Sequence, residues 1–127
     1  MRTFYSLILI TLLAGCSTTA PETLSKIETL QIPVVADSAP ANKSPAVATL
    51  HQQNKVILDQ TADELKNDYL RDVRTRDIFD DHSQAHQVYL SLSKLDQIQL
   101  MNNYYFKQKN IIGLQKVNDA LQPLKDG

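Results

Sequence analysis

The sequence predicts a mainly α-helical protein, a small helical hairpin or three-helix domain carried on a disordered, proline-rich tether. Three observations carry that expectation. Apolar residues recur at three- and four-residue spacings in three stretches between Leu58 and Leu124, which is the period of one helical face. Four of the five prolines, Pro21, Pro33, Pro40 and Pro45, fall before residue 50, among Ser, Thr and Ala. The chain has only three glycines and no tryptophan, a scarcity that argues against glycine-rich phosphate loops and many-turned β-sandwiches.

Taken in order, Met1-Arg2 supplies a short positive start, and Phe4 to Leu13 supplies a mostly apolar run. That run is too short to cross a bilayer as a helix, which needs roughly 20 apolar residues. It fits the apolar centre of a secretory signal, usually about 7–15 residues long. The small residues Ala14 and Gly15 follow, then Cys16, the only cysteine of the chain. Leu13-Ala14-Gly15-Cys16 resembles the lipobox of bacterial lipoprotein signal peptides. The resemblance implies diacylglycerol on the Cys16 thiol, cleavage before Cys16 and acylation of the new amino terminus. Multiple acyl chains at one point make physical sense, because a single chain binds membranes only marginally. In the Gram-negative family an aspartate after the cysteine favours the inner membrane. Ser17 therefore implies an outer-membrane anchor with the cargo facing the periplasm. An ordinary secretory signal with a free thiol and an uncleaved anchor are the alternatives. The expected organisation is a cleaved signal over residues 1–15, a lipidated cysteine and flexible linker over 16–49, and a helical domain over 50–127.

Composition bounds what the domain does. The formal charge is −1, and losing Arg2 with the signal makes it −2, so no cationic excess drives nucleic-acid binding. With Cys16 acylated no thiol remains for a disulfide, although an oxidising compartment would permit one. The fold must hold by packing alone.

From Ser17 to about Thr49 the composition is that of a chain unable to bury enough apolar surface to offset its ordering entropy. One patch resists that reading. Leu24, Ile27, Leu30 and Ile32 are spaced by three, three and two. A transiently ordered linker segment is the favoured reading, and a segment that folds on a partner is the sharper one.

Leu58, Ala62, Leu65, Tyr69 and Val73 share one helical face, and Leu50, Asn54 and Ile57 continue it upstream. Thr61-Ala62-Asp63-Glu64 has capping-box form, but the upstream stripe favours one longer helix beginning near Thr49. Asp80-Asp81-His82-Ser83 reads as a break, with Asp81 or Ser83 capping the next helix. Val88, Leu92, Leu95, Ile98, Met101 and Tyr105 then keep helical spacing over eighteen residues. Strands at 88–93 and 98–100 are the alternative there, and helix is favoured over them. Lys109-Asn110 and Gly113 mark a second break or kink. Leu114, Val117, Leu121 and Leu124 form a last short helix that Pro123 loosens.

Candidate sites are few. His82 and His86 stand one helical turn apart beside Asp81, a pattern that allows shared metal ligation, although no third ligand is fixed and a polar helix start predicts the same letters. Arg71, Arg74 and Arg76 read as a solvated face paired to Asp68, Asp72 and Asp77. Tyr104-Tyr105-Phe106 is the densest aromatic cluster. A helix directs only one or two of these inward, leaving a ring exposed in the manner of interface anchors. No P-loop, nucleophile elbow or free cysteine nucleophile is present, so no enzyme and no cofactor is expected.

The expectation is a membrane-anchored, non-enzymatic lipoprotein whose helical domain binds another envelope protein, as an assembly factor, a pilotin-like chaperone or an accessory subunit. The rivals are a metal- or ligand-binding periplasmic module built on His82 and His86, and a self-associating coiled-coil spacer.

Overall fold

The computed structural model describes residues 22–33 and 41–125. The described residues are mainly helical and contain no strand. Residues 22–29 form α1. The longer helices are α2 (Ala46–Leu65), α4 (Gln84–Lys107) and α5 (Ile111–Ala120), with short α3 (Thr75–Ile78) and α6 (Gln122–Lys125). α2, α4 and α5 pack mutually as a three-helix bundle. The stretch that admitted a strand reading, residues 88–106, is the middle of α4.

α2 starts at Ala46 behind Pro45, whose φ of −56° is already helical; proline suits a helix start because it lacks the donor that would go unused there. Upstream, the Asn42 amide donates to the Lys109 carbonyl oxygen at 2.9 Å, tying the entry of α2 to the α4–α5 junction. Thr61 is an interior residue of α2, as the longer-helix reading expects. Its hydroxyl donates to the Ile57 carbonyl oxygen at 2.8 Å and is not a cap. After Leu65 the helix widens into a π-helical turn, Lys66–Leu70. Val73, expected on the helical stripe, lies beyond that turn outside any helix.

α4 begins where the polar break was expected. Ser83 is its N-cap, and its hydroxyl accepts from the His86 amide at 3.0 Å. The inward residues are the expected ones: Val88, Leu95, Ile98 and Tyr105 are buried, with Leu92 and Met101 packed at the edge. α4 closes through Lys109, at φ 54°. The Lys109 amide donates to the Phe106 carbonyl and the Asn110 amide to the Tyr105 carbonyl, the paired bonds of a Schellman ending. Asn110 then caps α5 by accepting from the Gly113 amide at 3.0 Å. Gly113, expected as a break or kink, lies inside α5, buried against Tyr105. Leu114, Val117 and Leu121 are fully buried.

The core also holds a polar element. Asn54 of α2 donates to Asn102 Oδ1 of α4 at 3.0 Å and to the Leu114 carbonyl oxygen of α5 at 3.1 Å. Asn118 of α5 donates in turn to Asn54 Oδ1 at 2.9 Å, and Asn102 donates to the His51 carbonyl oxygen at 3.1 Å. All three asparagines are buried. Mutual hydrogen bonding offsets their desolvation, and bonds shared among three helices fix the heights at which those helices meet.

The stretch read as linker contains an ordered element. Leu24, Ile27 and Leu30 are buried and belong to the same apolar core as Val88 and Leu95. The eight described helical residues are too few to hold a helix in water, so packing sustains α1. Lys94 Nζ donates to the Glu28 carbonyl oxygen at 2.9 Å, a cation placed where the helix leaves its last carbonyls unpaired.

Candidate partner-binding surface

α4 is apolar on more than the face it buries. Tyr89, Ser93, Asp96, Leu100 and Tyr104, spaced by four, three, four and four, lie on the side turned away from the core and are all exposed. Leu100 is 64% exposed and Tyr104 55%. Phe79, 69% exposed in the turn after α3, adds to the end of this stripe, with its ring centroid 6.5 Å from that of Tyr89. From Tyr89 to Tyr104 the stripe runs about 22 Å along the helix. Leaving scattered large apolar groups in water is ordinary for a folded chain. Here Ser93 and Asp96 divide the stripe, with Phe79 and Tyr89 clustered at one end and Leu100 and Tyr104 at the other, and such clusters are the kind of surface that marks interaction sites.

The aromatic cluster Tyr104-Tyr105-Phe106 divides three ways. Tyr104 stands in the exposed stripe, with its hydroxyl accepting from Gln108 Nε2 at 2.9 Å. Tyr105 is 1% exposed, so it is a core residue and not an anchor for a partner. Phe106 turns toward α2 and stacks on His51 at a centroid separation of 4.0 Å and an interplanar angle of 10°. Successive helical residues are a hundred degrees apart, and only one of three neighbours reaches a given face. Sequence reasoning passed over Phe79, Tyr89 and Leu100. The available signal was slight: Leu100 and Tyr104 stand one turn apart and off the core period, with Ser93 and Asp96 breaking the row back to Tyr89.

His82, His86 and Asp81 do not form a ligand set. His86 Nδ1 lies 2.6 Å from the Ile78 carbonyl oxygen, which makes Nδ1 the donating nitrogen. Its Nε2 faces Asp81 Oδ1 at 3.5 Å. His82 is exposed, and its backbone amide donates to Asp80 Oδ1 at 3.1 Å. Among the described residues no three His, Cys, Asp or Glu side chains gather as metal ligands. These letters do what a polar helix start requires, closing the turn and ordering the approach to Ser83. Arg71, Arg74 and Arg76 make no ion pair among the described residues. The chain leaves helical geometry after the π-helical turn, and the three- and four-residue pairing expected there loses its basis. Cys16 lies outside the described residues.

No described helix is long and apolar enough to cross a membrane. Comparison with known protein families, curated proteins and solved structures finds no match to this chain.

Proposed function

We propose that this chain is a lipid-anchored, non-enzymatic envelope protein whose bundle binds another envelope protein through the outer face of α4. Anchoring rests on Leu13-Ala14-Gly15-Cys16 and Ser17, which favour the outer membrane and a periplasmic domain. The observation that carries the binding reading is the exposed stripe of Phe79, Tyr89, Leu100 and Tyr104. Tyrosine side chains on a rigid helix present large contact area at low entropic cost and are enriched among interface hot spots, and Leu100 adds apolar area beside Tyr104. Anchoring raises the local concentration of the domain at the membrane, so a modest intrinsic affinity suffices.

The test is crosslinking and pull-down of the lipidated protein from its native envelope, compared with Cys16→Ala and with the double variant Leu100→Ser, Tyr104→Ser. An envelope protein enriched with the native chain and lost with both variants supports the reading. Absence of acyl mass on Cys16 removes the anchor. Enrichment untouched by the double variant removes the α4 surface.

A further inference from the structure

We propose that α1 is a releasable clasp that sets how far the bundle stands from the membrane, an inference that rests on lipid anchoring at Cys16. The argument begins with chain length. Five residues separate Cys16 from the helical stretch at 22–29, a span of at most about 20 Å when fully extended. With α1 off the bundle, the leash runs from Cys16 to the start of α2 at Ala46. That chain has an r.m.s. reach of roughly 30 Å and stretches to about 100 Å. Docked α1 therefore holds the bundle close to the bilayer, and detached α1 frees it to reach outward.

The docking is specific yet small. Leu24 and Ile27 of α1 form one wall of an open cleft of about 420 Å³ whose other wall is His86, Leu90, Ser91 and Lys94 of α4, so α1 covers its neighbour only in part. Leu24 and Ile27 of α1 and Leu30 just after it enter the core, and the Lys94–Glu28 bond holds the carbonyl end. The eight described helical residues of α1 hold no helix on their own, so leaving the bundle costs the segment its helicity as well. The transition then has two states, docked helix and extended leash. The bundle retains the mutual packing of α2, α4 and α5 and the Asn54–Asn102–Asn118 bonds, none of which involves α1. The segment belongs to the class of local openings that precede global unfolding.

Two measurements on the full-length lipidated protein test this. In native-state hydrogen exchange, amides of residues 25–30 exchange at least 100-fold faster than those of Ile98 and Val117. Equal rates would show that α1 leaves only when the whole fold does, and would overturn the proposal. In neutron reflectometry on a supported phosphatidylethanolamine–phosphatidylglycerol bilayer, Ile27→Asp moves the protein layer outward by roughly 10–20 Å, while circular dichroism confirms a folded bundle. Lys94→Met serves as a milder variant with an intermediate shift. An unchanged layer with folded, acylated variants overturns the clasp alone. A Cys16 without acyl mass overturns the anchor and the clasp together.

Discussion

Gly113 lies directly under the ring of Tyr105, so close that a Cβ on the glycine would stand 2.4 Å from two ring carbons. Tyr105 is 1% exposed and has no open side toward which to retreat. Alanine at position 113 gains about 1 kcal/mol of helix propensity but overpacks the junction of α4 and α5, which costs about 1–3 kcal/mol or more when backbone must move. Gly113→Ala is expected to be destabilising on balance, by about 1–2 kcal/mol. Urea unfolding checks this, and the same change in a Tyr105→Leu background should cost clearly less. Additive losses would show that the ring is not the cause.

Asn54 is the hub of the buried polar element, donating to α4 and α5 and accepting from Asn118. Asn54→Leu keeps the volume but strands Asn102 Oδ1 and Asn118 Nδ2 in the core. Each stranded group costs about 1–3 kcal/mol, so a total loss near 3 kcal/mol is expected, large against the marginal stability of a domain this small. Adding Asn118→Leu should cost less than its own single effect, because removing both partners leaves less unpaired. A loss below about 1 kcal/mol for Asn54→Leu would contradict the network.

These two relationships show where sequence reading stops. The inward stripe of α4 and the Ser83 cap were legible because they depend on spacing along one helix. Asn54 was counted into the α2 stripe, yet its partners are 48 and 64 residues away, and nothing local distinguishes a buried asparagine from a solvated one. The period of Leu24, Ile27 and Leu30 was visible, but the prolines around it outweighed it, and the core that sustains α1 comes from distant residues such as Val88 and Leu95 of α4. Tyr104, Tyr105 and Phe106 were legible as a cluster, and Tyr105 already falls on the inward period of α4, while the glycine that makes room for its ring lies on another helix. The exposed stripe was hidden for the opposite reason: Ser93 and Asp96 interrupt it, so Tyr89, Leu100 and Tyr104 make no second apolar period along the chain.

Two of the cap candidates read from sequence, Ser83 and Thr61, should separate under mutation. Ser83 accepts from the His86 amide at the start of α4 and donates to the Asp80 carbonyl oxygen at 2.9 Å. Ser83→Ala is expected to cost about 1–2 kcal/mol. Thr61 bonds only back to Ile57 within α2, and alanine there relieves a β-branched residue in a helix, so a change under about 1 kcal/mol is expected. Thermal unfolding of both variants makes the comparison, and a costlier Thr61→Ala would restore it as a structural cap.

Lys109 occupies the left-handed position of the Schellman ending, with φ at 54°, where a side chain is strained and glycine is the usual choice. Its amide and that of Asn110 already make the required bonds, so glycine preserves the geometry and removes the strain. Lys109→Gly is expected to stabilise by about 0.5–1 kcal/mol, the strain relief exceeding the added freedom of the unfolded chain. Lys109→Ala should give no gain. A gain from alanine equal to that from glycine would point to the charge of the lysine and not to its backbone.

Tyr69, in the π-helical turn, carries a buried hydroxyl with no hydrogen-bond partner among the described residues. Burial, and secondarily the adjacent Asp68 carboxylate, pushes its pKa above the ordinary 10.0. The sign follows from proton counting. Between the ordinary value and the raised folded value, the native state keeps a proton that the unfolded state has released, so stability falls as pH rises through that window. Tyr69→Phe removes both the unpaired hydroxyl and the titration. At neutral pH it is expected to stabilise by about 1 kcal/mol, and the advantage should widen at a pH of about 10.5 because only the native protein pays for the strain of ionisation. Urea unfolding of both proteins at the two pH values decides it. The other tyrosines are common to both chains and cancel, so an advantage that stays constant or shrinks with pH would mean that Tyr69 ionises as freely in the fold as outside it.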